Sequence, residues 1–219
     1  MNGSAIDLLV FIDVICPWCY VGKKRMEKAL ATMGAAGSVR VAWLPFQLNP
    51  DMPKEGIERR IYRLRKFGSL EQSQRLDAQL TDVGAQEGIA FRYDLMARTP
   101  NTFDAHRLIW LSRRVNGGQD GIVEALFRAY FTEGRDIGNA QVLADVASEA
   151  GMDREHASDF LNGEKGAQEV SKQEEAARRA GLSGVPAFIV NGRPLLVGAH
   201  PPAVIASALR GVLGLVPGA

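Results

Sequence analysis

Sulfur and imidazole are scarce in this chain. Its 219 residues include only two cysteines, Cys16 and Cys19, and three histidines. Two cysteines cannot form the set of disulfides that stabilises small secreted domains. A structural zinc site needs four ligands, and His106, His156 and His200 are scattered without paired spacing, so we expect no metal site.

The chain also has no excess of either charge and no long apolar run. Its 26 lysines and arginines balance 25 aspartates and glutamates, for a formal net charge of +1. This argues against binding to nucleic acid or to a membrane surface through bulk electrostatics. No apolar run approaches the roughly 20 residues of a membrane-spanning helix. The first residues lack a basic stretch, and Asp13 interrupts the first apolar run. We therefore expect no signal peptide and a reducing cytosol as the compartment.

Strand patterns occur at both ends of the chain, and helical patterns occur between them. This order predicts an α/β fold whose first unit is a parallel β-α-β crossover. The Asn191-Gly192 pair is a strong signal for a tight hairpin turn. The predicted elements are a strand at 6–13, a helix at 17–33 ended by Gly34 and Gly37, a strand at 39–48, helices between 54 and 180, strands at 187–190 and 195–197, and a final helix opened by Pro201-Pro202.

Two helical segments carry apolar stripes that predict buried faces. The stripes are Ile57, Ile61, Leu64 and Phe67 in one helix, and Val204, Ile205, Ala208, Leu209 and Val212 in the last. Several arginines are interleaved with the first stripe. We expect them on a solvated face, with an anion site as the less favoured alternative; they are Arg59, Arg60, Arg63 and Arg65.

The two cysteines form a Cys-Pro-Trp-Cys motif between the first strand and the first helix. A cysteine at a helix amino terminus meets unpaired N–H groups and the positive end of the helix dipole, which favour the reactive thiolate. Cys19 follows about one turn later, close enough to attack a mixed disulfide on Cys16. Pro17 suits the first helical turn because it has no N–H to leave unpaired. The motif predicts Cys16 as the exposed nucleophile and Cys19 as the sheltered resolving thiol.

A second motif, Gly184-Val185-Pro186, opens the later strand. Proline removes a hydrogen-bond donor from a strand, so it is unusual in this position. A cis Val185–Pro186 bond would let the Val185 backbone face the dithiol and pair with an extended substrate.

The chain resembles the DsbA-like branch of the thioredoxin superfamily and, within it, the FrnE-like oxidoreductases. The matching segments are 13–22 (DVICPWCYVG), 43–50 (WLPFQLNP), 101–108 (NTFDAHRL), 184–192 (GVPAFIVNG) and 197–202 (VGAHPP). The resemblance implies a thioredoxin-like domain at 1–52 plus 181–219, a helical domain inserted at 53–180, and a cis Pro186. The chain departs from the family pattern at His200, where glutamine is expected.

Other residues near these motifs have two interpretations each. In the superfamily the residues between the cysteines tune the redox potential, which favours that role and substrate contact for Trp18 over a plain surface aromatic. Asp13 is either a semi-buried acid that assists proton transfer at Cys19 or an ordinary strand-end residue. His106 shares a helix face with apolar neighbours, which favours a hydrogen-bonded core histidine over a site residue. Asn101 is either a site residue or a helix cap.

The leading functional hypothesis is a thiol–disulfide oxidoreductase without a bound cofactor. Its substrates would be proteins or small molecules with thiols or disulfides, and glutathione is a candidate co-substrate. The residues leave open the direction of electron flow and the oligomeric state. One alternative is a glutathione-dependent isomerase similar to 2-hydroxychromene-2-carboxylate isomerase, although such enzymes have serine where this chain has Cys16. Another is a peptide-binding holdase without redox activity.

Overall fold

The computed structural model of the protein describes residues 6–34, 38–115 and 118–214; Gly37 lies outside these ranges. Strands occur near both ends of this part of the chain, and helices fill its middle. The elements are β1 (Ile6–Ile12), α1 (Pro17–Met33), β2 (Val39–Pro45), β3 (Ile57–Glu58), α2 (Arg59–Phe67), α3 (Leu70–Gln86), β4 (Arg98–Thr99), α4 (Phe103–Val115), α5 (Asp120–Phe131), α6 (Ala140–Glu149), α7 (Arg154–Asn162), α8 (Ala167–Arg179), β5 (Ala187–Val190), β6 (Arg193–Val197) and α9 (Pro202–Leu213).

Four strands form one mixed sheet in the order β2-β1-β5-β6. β1 pairs in parallel with β2, from Ile6 opposite Val39 to Ile12 opposite Pro45, so the predicted β-α-β unit is present. β5 runs antiparallel to both β1 and β6. The turn between β5 and β6 is the predicted one, since Asn191 and Gly192 have positive φ values of 52° and 72°. The topology places β1, with the dithiol at its end, in the interior of the sheet.

Two predicted strands are too long by one to three residues. β1 ends at Ile12 rather than at 13, and β2 ends at Pro45 rather than at 48. The reason is that the chain leaves β1 at Asp13 and turns toward α1. The Phe46 N–H still donates to Ile12 O at 3.0 Å, but β2 has no pairing partner beyond that residue in the described part of the chain. The short strands β3 and β4 pair with each other and were missed, because two residues carry no periodicity.

Two predictions of burial are partly wrong. In α9, Ile205 and Leu209 are buried, but Val204 and Val212 are exposed, because α9 packs on α1 through a narrow stripe. In α2, no residue is buried, and Ile61 and Leu64 are 40% and 45% exposed. That helix turns other side chains inward, as described below.

The division of the chain into two domains at 52/53 and 180/181 remains a prediction. The last helix of the predicted insertion, α8, contacts both β2 of the sheet and α4 of the helical region. Within the described ranges, no helix combines the length and the apolar character needed to cross a lipid bilayer.

Candidate active site

The dithiol lies where β1 passes into α1. The chain turns tightly after β1, with the Cys16 N–H donating to Asp13 O at 2.9 Å. Cys16 is the residue that caps α1, in an extended conformation, and Pro17 occupies the first helical turn as predicted. The Cys16 side chain makes no capping hydrogen bond, so its sulfur is not tied to the backbone of the first helical turn. The Cys19 N–H donates to Cys16 O at 2.9 Å, which fixes the second thiol one turn further on.

The two thiols differ in access, although less than the sequence predicted. Cys16 is 5% exposed and Cys19 is fully buried, so the predicted nucleophile is nearly buried rather than open. Both are free thiols. Burial raises the pKa of Cys19 well above its ordinary value, and the adjacent Cys16 raises it further. Cys19 is therefore a protonated thiol at neutral pH.

The loop before β5 faces the dithiol from the opposite side. The Cys16 Sγ lies 3.8 Å from the carbonyl oxygen of Val185, and the Val185–Pro186 peptide bond is cis. The Gly198 N–H donates to Pro186 O at 2.7 Å and holds this loop to the end of β6. The structure thus brings together the two motifs on which the sequence analysis depended.

Asp13 lies directly behind the dithiol and is fully buried, rather than semi-buried as in the first of its two interpretations. Its Oδ2 accepts from the Leu48 N–H at 2.7 Å, and its Oδ1 lies 3.6 Å from His106 Nε2. His106 is also buried, but its Nε2 has no hydrogen-bond partner among the described residues. The prediction of a hydrogen-bonded core histidine is therefore wrong at this nitrogen. The side chain instead lies between Asp13 and a cavity of about 440 Å³ bordered by Trp43 and Gln119.

Asn101 and His200 make local contacts outside the dithiol. Asn101 Oδ1 accepts from the Phe103 N–H at 2.9 Å, and its Nδ2 donates to Met52 O at 2.6 Å. These bonds start α4 and tie it to the loop after β2, which fits the helix-cap interpretation. His200 Nε2 lies 3.0 Å from Val197 O, in the turn between β6 and α9.

A cavity of about 260 Å³ opens beside Cys16. Pro17 and Trp18 form part of its wall, and Trp18 is 42% exposed at its rim. The facing wall comes from the helical region. Its residues include Arg59, Tyr62, Arg63, Lys66 and Phe67 of α2, Leu76 and Leu80 of α3, Tyr93, Met96 and Thr99, and Tyr130 and Phe131 of α5.

This cavity corrects the prediction that the arginines of α2 lie on a solvated face. The side chains of Arg59 and Arg63 are only 16% and 13% exposed, whereas Arg60 and Arg65 do face solvent. The sequence held a signal for this arrangement. Residues 59, 62, 63 and 66 follow the spacing of one helix face, and all four are polar.

The described residues include no group of three or more His, Cys, Asp and Glu side chains placed to hold a metal ion. The redox-capable groups of this site are the two thiols of Cys16 and Cys19. Their arrangement suits attack by Cys16 on a sulfur atom that enters from the cavity or along the Val185 backbone.

Comparison with known proteins agrees with this description. The model of the DSBA-like thioredoxin domain family matches residues 7–210. A probable DsbA oxidoreductase from Streptomyces coelicolor has a similar structure, with a TM-score of 0.87 and 32% identity over 98% of this chain and 92% of that one.

Two more distant structures share the fold. The cytosolic disulfide reductase DsbM from Pseudomonas aeruginosa has a TM-score of 0.68 and 18% identity, covering 96% of this chain and all (100%) of its own. A 2-hydroxychromene-2-carboxylate isomerase has a TM-score of 0.69 and 17% identity, covering 97% of this chain and 100% of its own. These findings confirm the predicted α/β thioredoxin fold with a helical insertion. The chain belongs to the DSBA-like thioredoxin domain family.

Proposed function

We propose that the protein is a thiol–disulfide oxidoreductase of the FrnE-like type that uses Cys16 and Cys19 as its redox pair. The observation that carries this proposal is the position of the Cys16 sulfur. It lies at the amino terminus of α1, 3.8 Å from Val185 O, with a buried second thiol one turn away.

The reaction follows from this geometry. The Cys16 thiolate attacks one sulfur of a substrate disulfide, and the first substrate thiolate leaves. Cys19 then loses its proton and attacks the Cys16 sulfur, which releases the second substrate thiolate and leaves a Cys16–Cys19 disulfide. Two electrons pass from the protein to the substrate. Run in reverse, the same steps form a disulfide in a dithiol substrate.

Cys19 needs a proton acceptor, because its pKa is raised well above the ordinary value. We propose Asp13 for this role, since its buried carboxylate is close enough for its charge to act on the Cys19 thiol. His106, at 3.6 Å from Asp13, is proposed as a positioning residue that passes the proton toward the cavity beyond it. Trp18 and Val185 are proposed to contact substrate.

Glutathione is the small thiol that we propose as co-substrate, in a cytosolic compartment. The support is that a cytosolic disulfide reductase of the same fold has been solved with glutathione. The isomerase among the similar structures makes glutathione-dependent isomerisation the second candidate. The cysteine at position 16 argues against it.

Insulin reduction and exchange with glutathione disulfide test the proposal. We expect wild type to catalyse at least one of them and Cys16→Ser to lose that activity. Full activity of Cys16→Ser would contradict it. Calorimetry with reduced glutathione on the Cys16→Ser/Cys19→Ser variant tests the isomerase candidate, which requires tight binding that survives loss of both thiols.

A further inference from the structure

The cavity beside Cys16 has a helical wall of unusual polarity. A surface helix normally buries its apolar stripe and exposes its charged residues. α2 does the opposite: Arg59 and Arg63 lie on its inner face and line the cavity, while Ile61 and Leu64 are exposed to solvent. Packing of apolar side chains alone would favour the reverse orientation. Asp77 holds both arginines inward, and Arg63 also donates to Ser73 Oγ at 2.7 Å and to Ser73 O at 3.0 Å.

The cations of this wall are incompletely neutralised. Arg59 Nη2 and Arg63 Nη2 bind the two oxygens of a single carboxylate, that of Asp77, at 2.7 and 2.6 Å. Lys66 Nζ donates to the Tyr62 hydroxyl at 2.8 Å. The described residues that line the cavity include these three cations and no carboxylate. One acidic partner for three cations leaves an excess positive charge on the α2 wall of the cavity.

One of the residues that line the cavity carries an unsatisfied donor. The hydroxyl of Tyr93 is buried and has no hydrogen-bond partner among the described residues, although Tyr93 lines the cavity. Burial raises the pKa of Tyr93, so its hydroxyl keeps its proton. Arg59 lies over its ring, 5.2 Å from the centroid. A buried polar group without a partner is rare in proteins, and a ligand oxygen would supply one.

Apart from Cys16 and Thr99, the rest of the lining is apolar or aromatic. It includes Leu48, Leu80, Met96 and Phe131 around a volume of about 260 Å³. This volume lies just below the usual range of small-molecule sites, roughly 300–1,000 Å³, so the cavity suits one part of a substrate. An apolar wall with a few convergent donors selects an apolar or aromatic group that ends in an anion.

We propose that this cavity binds the carboxylate-bearing, otherwise apolar half of a small disulfide, with the carboxylate at Arg59, Arg63 and Tyr93 and the sulfur at Cys16. The inference rests on the proposed function, because it names the substrate class of the same dithiol. The bound disulfide R–S–S–R reacts with the Cys16 thiolate to give Cys16–S–S–R and R–S⁻. Cys19 then loses its proton and attacks the Cys16 sulfur, which breaks the Cys16–S–S–R bond, releases the second R–S⁻ and forms the Cys16–Cys19 disulfide. The protein loses two electrons and the substrate gains them.

The test uses the pre-reduced full-length protein in single-turnover stopped-flow experiments with two aromatic disulfides. Dithiobis(nitrobenzoate) carries a carboxylate on each ring, and dithiodipyridine is uncharged at neutral pH. For each variant, the ratio of the two rate constants is compared with the wild-type ratio. This ratio does not depend on the fraction of protein that is folded, so it remains informative if a substitution lowers stability.

We expect Arg63→Gln to lower the rate with dithiobis(nitrobenzoate) by about tenfold and to leave the rate with dithiodipyridine within about twofold. Lys66→Gln, at an exposed side chain, should lower the same ratio by a smaller factor. Arg65→Gln, on the outward face of α2, is the matched control and should leave it unchanged. An unchanged ratio in both Arg63→Gln and Lys66→Gln would overturn the inference. Failure of the reduced wild-type protein to cleave either disulfide would instead overturn the proposed function.

Discussion

Gly22 leaves space for the ring of Pro186. A Cβ atom added at Gly22 would lie 2.8 Å from Pro186 Cγ and 3.6 Å from the Cβ of Ala199. Real Cβ atoms do not approach carbon so closely, so α1 and the loop before β5 fit together only because residue 22 has no side chain. This contact sets how close the Val185–Pro186 segment comes to Cys16, which starts the same helix.

We predict that Gly22→Ala moves the Pro186 segment and weakens both stability and disulfide exchange. The free energy of unfolding should fall by about 1–2 kcal/mol, as for other overpacked sites. Gly211→Ala is the matched control, because Gly211 is also helical but a Cβ there meets nothing within 4 Å. It should gain up to about 1 kcal/mol from helix propensity. Chemical denaturation of both variants measures the two free energies of unfolding. Equal stabilisation by the two alanines would show that the contact between residue 22 and Pro186 does not destabilise the protein.

Cys19 should behave as a thiol of high pKa. Burial is the main cause, so the effect should persist in Cys16→Ser, where the neighbouring sulfur is gone. Ultraviolet titration of that variant should show thiolate absorbance only above the ordinary value of 9.0. At neutral pH its alkylation by iodoacetamide should be at least about tenfold slower than that of Cys19→Ser, which retains Cys16. A Cys19 midpoint at or below 9.0 would contradict the assignment of a buried resolving thiol.

Asp13→Asn separates proton transfer from simple electrostatics. The negative charge of Asp13 raises the pKa of Cys19, so its loss alone should lower that pKa and speed the attack by Cys19. If Asp13 accepts the proton, the attack should instead become about tenfold to hundredfold slower at pH 7 and recover at higher pH. Rapid-quench measurement of the mixed disulfide on Cys16 distinguishes the two. A faster second step in Asp13→Asn would remove Asp13 from the mechanism.

A buried lysine joins α1 to α5 and makes stability depend on pH. Lys23 Nζ pairs with Glu27, with Asp120 Oδ2 at 3.1 Å and with Glu124 Oε2 at 3.0 Å. Burial raises the pKa of Glu124, but Lys24 and Lys23 outweigh this and hold it below its ordinary 4.5. Because the pKa of Glu124 is lower in the folded protein than in the unfolded chain, its ionised carboxylate stabilises the fold above pH 4.5. This contribution is lost as the pH falls through the lowered pKa.

Glu124→Gln should therefore destabilise the protein at pH 7 by about 1–2 kcal/mol, a range reduced for the partial exposure of this side chain. At a pH below the lowered pKa, wild type and variant should unfold with similar free energies. Denaturant titrations at both pH values measure this difference. Glu71→Gln, which removes an exposed pair with Arg75, is the control and should change stability little at either pH. If Glu124→Gln lowered the free energy of unfolding equally at both pH values, the ion pairs of Glu124 would not be the cause of the destabilisation.

Local patterns in the sequence were enough to predict the strands of the four-stranded sheet and the dithiol. The strand run before Cys16 and the Asn191-Gly192 turn are properties of a few neighbouring residues, and the structure confirms both. The docking of α2 was not predictable in this way. That helix has an apolar face and a cationic face, and either could be buried; the choice depends on Asp77 and the cavity, which come from distant parts of the chain.

The inner parts of the site also depend on contacts between distant segments. The burial of Asp13 and its approach to His106 join residues 93 positions apart in the chain, and alternation along β1 does not encode this approach. The fit of Gly22 against Pro186 is similar, because each motif is visible in the sequence but their separation is not.

The most direct test of the central claim is to trap the mixed disulfide. Reduced Cys19→Ser and Cys16→Ser variants are incubated with excess glutathione disulfide at neutral pH, and their intact masses are measured. We predict one glutathione adduct on Cys16 in Cys19→Ser, none on Cys19 in Cys16→Ser, and an internal disulfide with a loss of two hydrogens in wild type. An adduct on Cys19 of Cys16→Ser, or no adduct on either variant, would contradict the assignment of Cys16 as the attacking thiol.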